Sequence, residues 1–378
     1  MDLTTKVLEY HELTDQHIKR WCELEERSIE QNAYLSPYFM LPALKHFPPR
    51  GKPIFVFIEK RTNIETELMG VGVFECSPRT VQLPALHLKA YRSPHTYLTG
   101  LLIDKQYFKE TTDAFFSFFH DSRANWCGVE FVSRKKESEL ASQFDIAASQ
   151  FDIGWFEYSS QRRPILLPER SGDANMKTTL ASKTRKSLRQ HLRRLNDLGK
   201  VQWRVVRGQE IEPACINIFL ELEHMGWKKE RGSSLLSHAS HEAFFREMMN
   251  GFSQAGRAFF TELSINGKVI SSTSNLISGS AGFAFKIGWD ETFSKLGPGI
   301  LNEVEFIKYF SELLPNIKYV DSGAEDGSYL EKLWPDHVSM VSGFYLSNPA
   351  MKPLLQGINF MRKVKRCFLR QSNSLKLL

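Results

Sequence analysis

The stretch from Gly282 to Trp334 decides the reading. It opens Gly282-Phe-Ala-Phe-Lys-Ile-Gly-Trp-Asp290 and continues Ser294-Lys-Leu-Gly-Pro-Gly-Ile-Leu301. After a long amphipathic run come Tyr319-Val-Asp-Ser-Gly323 and Gly327-Ser-Tyr-Leu-Glu-Lys-Leu-Trp334. Aromatic and β-branched residues make the first piece a strand, and the second is a glycine-bearing turn. Ile300, Val304, Ile307 and Phe310 then recur at helical spacing until Pro315 closes the run. A short apolar strand ends in Asp-Ser-Gly. Strand, turn, helix and strand make one βαβ unit. Its turn lies at a helix N-terminus, where free N–H groups and the helix dipole can hold an anion.

Upstream, Thr178 to Leu198 reads as a basic helix with Leu188, Leu192 and Leu195 on one side, ended by Gly199. Val201 to Val206 is a strand and His241 to Gln254 a helix. Ile211 to Lys229 is a helix with Ile211, Cys215, Ile218, Leu222 and Met225 on its apolar face. Ala258 to Ile265 and Lys268 to Ile277 form a hairpin across Asn266-Gly267. Ser339 to Leu346 reads as the last strand.

The first half has a similar order. Asp15 to Gln31 is a helix with Thr14 as N-cap, and Ile54 to Glu59 and Leu68 to Cys76 are paired strands. Phe108 to Phe119 is a helix, Gly128 to Val132 a strand, Lys135 to Phe144 a helix and Ile153 to Tyr158 a strand. Between them, Arg92-Ser-Pro-His-Thr-Tyr-Leu-Thr-Gly100 is the kind of polar loop that binds ligands. The polar segment Arg162 to Met176 suggests a linker. Periodicity therefore gives two α/β lobes of similar order.

Composition is that of an ordinary globular chain: 378 residues, 42% apolar, 24% charged. No apolar run approaches the ~18 residues of a spanning helix, and Met1 to Glu12 lacks a secretory pattern. A cytoplasmic location is expected. The five cysteines show no Cys-x-x-Cys pair and no histidine sits at zinc-ligand spacing, so no metal is expected. The net charge of +6 is uneven. Residues 174–196 and 337–378 each hold seven Lys or Arg and no acid, leaving an acidic body.

The order and spacing of these motifs over residues 178–335 resemble the GNAT acyltransferase superfamily. More narrowly, they are similar to the CelD-type branch related to the FemABX peptidyltransferases. Leu296-Gly297-Pro298-Gly299 stands where the superfamily has Gln/Arg-x-x-Gly-x-Gly/Ala. The resemblance implies two tandem GNAT-like lobes, each a mixed, mostly antiparallel sheet flanked by helices. Residues 1–165 would form a degenerate lobe, 166–177 a linker, 178–348 the acyltransferase lobe and 349–378 a basic amphipathic tail.

The resemblance also implies site residues. Leu296, Gly297, Gly299, Ile300 and Leu301 would hold the pyrophosphate of acetyl-CoA or another acyl-CoA. Backbone N–H groups at Ile287 and Gly288 would polarise the thioester carbonyl if that strand splays from its neighbour. Tyr329 would protonate the departing thiolate. Asp321 and Glu223 are the candidate bases, and His224, Trp227, Lys228, Lys332 and Trp334 the acceptor-side residues. Each has a plainer reading: a connecting turn for 296–301, packing for Tyr329, a cap for Asp321, a solvated helix face for Glu223 to Lys228. Lys332 departs from the branch, which places Tyr-Lys directly after the Asp-x-Gly loop.

The expected function is acyl-CoA-dependent N- or O-acylation of a sugar, sugar nucleotide or envelope or polysaccharide precursor. The alternatives are Fem-like transfer from aminoacyl-tRNA and a non-catalytic membrane-peripheral role. Nucleic acid is disfavoured, because the basic helix lacks interleaved aromatics. The tail, with Ile358, Met361, Val364, Phe368 and Leu369 near one face, suits either a packing helix or peripheral contact with an anionic membrane.

Overall fold

The computed structural model describes residues 3–61, 66–77, 80, 83–121, 126–348, 351–358 and 361. The first half runs β1 (Leu3–Glu9), α1 (Asp15–Glu26), α2 (Pro37–His46), β2 (Pro53–Arg61), β3 (Thr66–Ser77), β4 (His87–Ala90), β5 (Leu102–Ile103), α3 (Phe108–Asp121), β6 (Gly128–Lys135), α4 (Glu139–Ser149) and β7 (Gly154–Leu166). The second half runs α5 (Asp173–Thr179), α6 (Ser182–Leu198), β8 (Val201–Arg207), α7 (Pro213–Glu223), α8 (Trp227–Glu230), α9 (Ala239–Gln254), β9 (Ala258–Ile265), β10 (Lys268–Ser278), β11 (Ala281–Trp289), α10 (Pro298–Leu313), β12 (Tyr319–Asp321) and β13 (Asp336–Leu346).

The strands of both lobes join one sheet, ordered β1-β2-β3-β4-β6-β13-β7-β12-β11-β10-β9-β8, with β5 on β3. Nearly every pairing is antiparallel. The parallel ones are β4 with β6 and β11 with β12, one in each lobe. The lobes exchange strands at the centre. β13, last in sequence, lies between β6 and β7, bonding both along its length. β7 ends by pairing Ile165 and Leu166 with β12 of the second lobe.

Several sequence expectations are corrected. β1 was not anticipated: its alternation of Thr, Lys and Val reads as a polar terminus until β2 supplies a partner. The expected helix from Ile211 to Lys229 is interrupted: α7 ends at Glu223, and Gly226, with a φ of +66°, turns the chain into α8. The expected basic helix divides at Leu180 into α5 and α6. Pro168–Arg170 form a 3-10 turn before α5, and this segment is docked: Ser171 Oγ donates to Ile307 O and Arg170 makes two bonds to Asp336.

The largest core joins the lobes. Trp21, Phe39 and Phe55 of the first half share it with Phe244, Phe260, Phe283 and Phe285 of the second. Each such ring contributes roughly 1.5–3 kcal/mol on burial. A second core lies under α3 and α4, and a third under α10. Residues 351–358 are helical, and Leu355 is buried against Phe156 and Phe344. The start of the tail therefore packs, while its basic residues from Arg362 onward lie outside the described residues.

Candidate active site

The parallel ladder between β11 and β12 runs from Ala281–Tyr319 to Phe283–Asp321 and stops. β12 ends there, whereas β11 continues beside β10 to Trp289. Residues 284–289 thus leave one edge without a strand, which is the splay the sequence could not show. The Ile287 carbonyl faces that edge and accepts a bond from Lys228 Nζ at 2.5 Å. A strand residue turns its N–H and C=O to the same side, so the Ile287 N–H lies on the open edge too.

The glycine turn abuts this edge. Asp290 caps the 3-10 segment Glu291–Leu296, and Gly297 turns the chain at φ +59°, a conformation that costs a Cβ-bearing residue ~1–2 kcal/mol. Pro298 follows at the first helical position, where its missing N–H is no loss. Gly297 N–H bonds to Ser294 O and Leu301 N–H to Gly297 O. The N–H groups of Gly299 and Ile300 then have no partner within α10 and point out of its N-terminus. A Cβ on Gly299 would stand 3.2 Å from Ile287 Cδ1, so turn and strand touch. Leu296 and Leu301 pack against Leu192 and Leu195 of α6, and a Cβ on Gly297 would lie 3.6 Å from His191. The basic helix therefore covers the turn.

On the other side of β11, Gly288 lets the end of α7 come close: a Cβ there would be 2.4 Å from Glu223 N. Glu223 is buried and engaged. Its Oε1 takes Lys228 Nζ at 3.2 Å and its Oε2 the Leu235 N–H at 2.8 Å. Burial, helped by Lys286, pulls the Lys228 amine below its ordinary range, against the opposing pull of Glu223. His224 bonds Ser234, and Trp227 is exposed under Arg231.

Asp321 is also engaged. It pairs with Arg163 at 3.5 Å and accepts the Gly323 N–H at 2.7 Å, while Arg163 donates to Tyr97 O. Both carboxylates expected as bases are thus buried in ion pairs. Tyr329 lies in the 3-10 turn Tyr329–Lys332, rather than in a full helix. The residue is 40% exposed as a whole, while burial of its phenol, and then the Glu303 carboxyl, push its pKa up. Trp334 is buried on α10, and Lys332 is exposed with no ion pair among the described residues.

Four further groups escaped the sequence reading. Lys286 on β11 donates to Tyr97 OH at 3.3 Å, and His95 bonds His241 at 3.1 Å, tying the Arg92–Gly100 loop to α9. Burial, then Lys286 and His241, drives the His95 pKa down to about 2. Arg163 is buried at the junction. Glu303 is buried within α10. Only the polar loop carried a signal in sequence; the others depend on long-range contacts. Beside Arg163 and Tyr97 a cavity of about 990 Å³ opens chiefly in the first half of the chain, lined by Lys89, Arg92, Tyr97, Glu130, Glu157 and Arg163 among others, with Gly323 and Glu325 reaching it from the segment after β12. Among the described residues, no three His, Cys, Asp or Glu side chains converge as a metal site, and no helix is long and apolar enough to cross a membrane.

An open strand edge thus lies beside a glycine turn and a helix N-terminus in the second lobe. Residues 182–329 match the family model described as acetyltransferase (GNAT) domain. The second lobe is a GNAT domain, and the whole chain has the fold of FemX. The FemX crystal structure superposes with a TM-score of 0.57 at 13% identity, covering 94% of this chain and 100% of that one. A Bacteroides thetaiotaomicron protein of unknown function gives 0.54 at 12% identity, covering 88% and 97%. The C-terminal domain of a protein assigned as a lysylphosphatidylglycerol synthetase, from Agrobacterium fabrum, gives 0.52 at 10%, covering 89% and 93%. No curated protein matches the chain.

Proposed function

We propose that the second lobe transfers an acyl group from an acyl-CoA thioester to an amine or hydroxyl of a polar acceptor held between the lobes. The observation that carries this is the divergence of β11 from β12 directly beside the Gly297–Gly299 turn. An extended pantetheine arm fits an open strand edge, and a pyrophosphate fits the free N–H groups of Gly299 and Ile300. The Ile287 N–H is then placed to polarise the thioester carbonyl. Tyr329 supplies the proton to the leaving sulfur. Glu223 and Asp321 are positioning residues: one fixes Lys228 against the strand edge, the other ties Arg163 and the 92–100 loop to the cleft. The acceptor's proton passes to water. Hydroxyls, carboxylates and the three cations Lys89, Arg92 and Arg163 line the cavity, and this lining suits a sugar, a sugar nucleotide or an envelope precursor.

A second reading, aminoacyl-tRNA as donor, is favoured by α6. Lys183, Arg185, Lys186, Arg189, Arg193 and Arg194 have no acidic partner among the described residues and lie on the helix that covers the turn. Such a surface suits phosphates. Calorimetry with CoA, acetyl-CoA, longer acyl-CoAs and a charged tRNA separates the readings. Micromolar CoA binding lost in Gly299→Val supports the first; tRNA binding with no CoA binding refutes it.

A further inference from the structure

The fork between β11 and β12 is not bounded by the second lobe alone. The Arg92–Gly100 loop of the first lobe reaches it through Tyr97. A Cβ on Gly323, two residues past the end of β12, would stand 2.7 Å from Tyr97 Cδ2 and 3.2 Å from Ala284 O of β11. The Tyr97 ring therefore lies against the point where the two strands part. Its centroid is 5.8 Å from that of Phe285 on β11 and 5.6 Å from that of Tyr34. Its backbone carbonyl accepts from Arg163, whose other partner is Asp321 at the end of β12.

The hydroxyl reaches on along the open edge. It accepts a hydrogen bond from Lys286 Nζ at 3.3 Å, one residue before the Ile287 whose N–H lies on that edge. Both side chains are half-buried, so a substrate can reach them. Tyr97 also lines the cavity of about 990 Å³, together with Arg163 and Gly323. One phenol thus borders the strand fork and the cavity.

Packing accounts for the ring but not for the hydroxyl, since a Phe would fill the same space. Lys286 makes no ion pair among the described residues. Its ammonium is held by this hydroxyl and lies 5.5 Å from the Phe285 ring, although its stem is long enough to carry the charge toward water.

We infer that Tyr97 is a catalytic residue which the first lobe contributes to the second, its hydroxyl taking the acceptor's proton and passing its own to water in the cavity. This rests on the acyl-CoA reading above. A phenol oxygen has two lone pairs and one proton. Lys286 occupies one lone pair and orients the group, which makes it a positioning residue. The other lone pair accepts the N–H or O–H of the acceptor, and the phenol O–H donates to water.

The step balances. As the acceptor's nitrogen or oxygen bonds to the thioester carbon, its proton moves to the Tyr97 oxygen and the Tyr97 proton moves to water. The C–S bond breaks with its electron pair on sulfur, which Tyr329 protonates. The water that took the acceptor's proton returns one to Tyr329. Tyr97 and Lys286 end as they began, and the products are the amide or ester and the free thiol.

The test follows thiol release from acetyl-CoA, with glucosamine or hydroxylamine as acceptor, in wild type, Tyr97→Phe, Lys286→Met and the double variant. Calorimetry gives acetyl-CoA affinity, and thermal melts report the fold. Tyr97→Phe keeps the ring and Lys286→Met the stem, so both should melt as wild type does. Tyr97→Phe is expected to lose roughly 10²-fold in kcat with acetyl-CoA affinity unchanged. Lys286→Met should lose less, and nothing further in the Tyr97→Phe background. Wild-type turnover in Tyr97→Phe, or additive losses in the double variant, overturns the inference. So does a wild-type protein that binds acetyl-CoA but releases no thiol with either acceptor. Failure of the wild type to bind acetyl-CoA at all would remove the donor reading, and the inference with it.

Discussion

The Glu223–Lys228 pair offers the sharpest test of how this site is held. Glu223 is 1% exposed, and its carboxylate has two donors, Lys228 Nζ and Leu235 N–H. Lys228→Met removes the counter-charge and leaves the carboxylate with one amide. Breaking one side of a buried pair in this way costs about 3–5 kcal/mol. The Ile287 carbonyl also loses its partner, adding on the order of 1 kcal/mol. Replacing both partners by apolar residues, as in Glu223→Leu with Lys228→Met, should recover most of that loss, because the desolvation penalty disappears with the charges. Urea unfolding followed by circular dichroism measures all four species of the cycle. The expected coupling is about 2 kcal/mol or more. Wild-type stability of Lys228→Met, or strict additivity of the pair, would refute the positioning role. A loss of kcat beyond ~10²-fold in a fully stable Glu223→Gln would return that residue to the role of base.

Other predictions follow from single contacts. Gly297→Val and Gly299→Val should remain folded and lose CoA affinity at least tenfold by calorimetry, the first through its left-handed φ and the second by filling the space before Ile287. Truncation before Asp336 removes β13 from between β6 and β7, so both lobes should unfold together. A truncated chain that retains a cooperative melt in either lobe contradicts the shared sheet. Burial raises the Glu303 pKa to about 7, so the folded state holds a proton that the unfolded chain releases near its ordinary value. The contribution of this group to stability is then fully present at low pH and falls as pH rises toward 7, by up to about 3 kcal/mol. Glu303→Gln should flatten that slope in pH-dependent urea melts.

The sequence by itself determined what depends on neighbours in the chain. Asn266-Gly267 specified the β9–β10 hairpin, and Gly297-Pro298 specified a turn into a helix, because φ preferences are local. The period of Ile300, Val304, Ile307 and Phe310 fixed that helix, and the order of motifs pointed to the GNAT family. Tertiary structure decided the rest. A strand's central or edge position depends on which distant strand pairs with it, so neither the insertion of β13 into the first lobe nor the parting of β11 from β12 was legible. Burial was hidden for the same reason. In sequence Asp321, Glu223 and Glu303 are three acids of similar standing. In the fold, Arg163 meets the first and Lys228 the second, while among the described residues no cation meets the third, and only the distant partners make that difference.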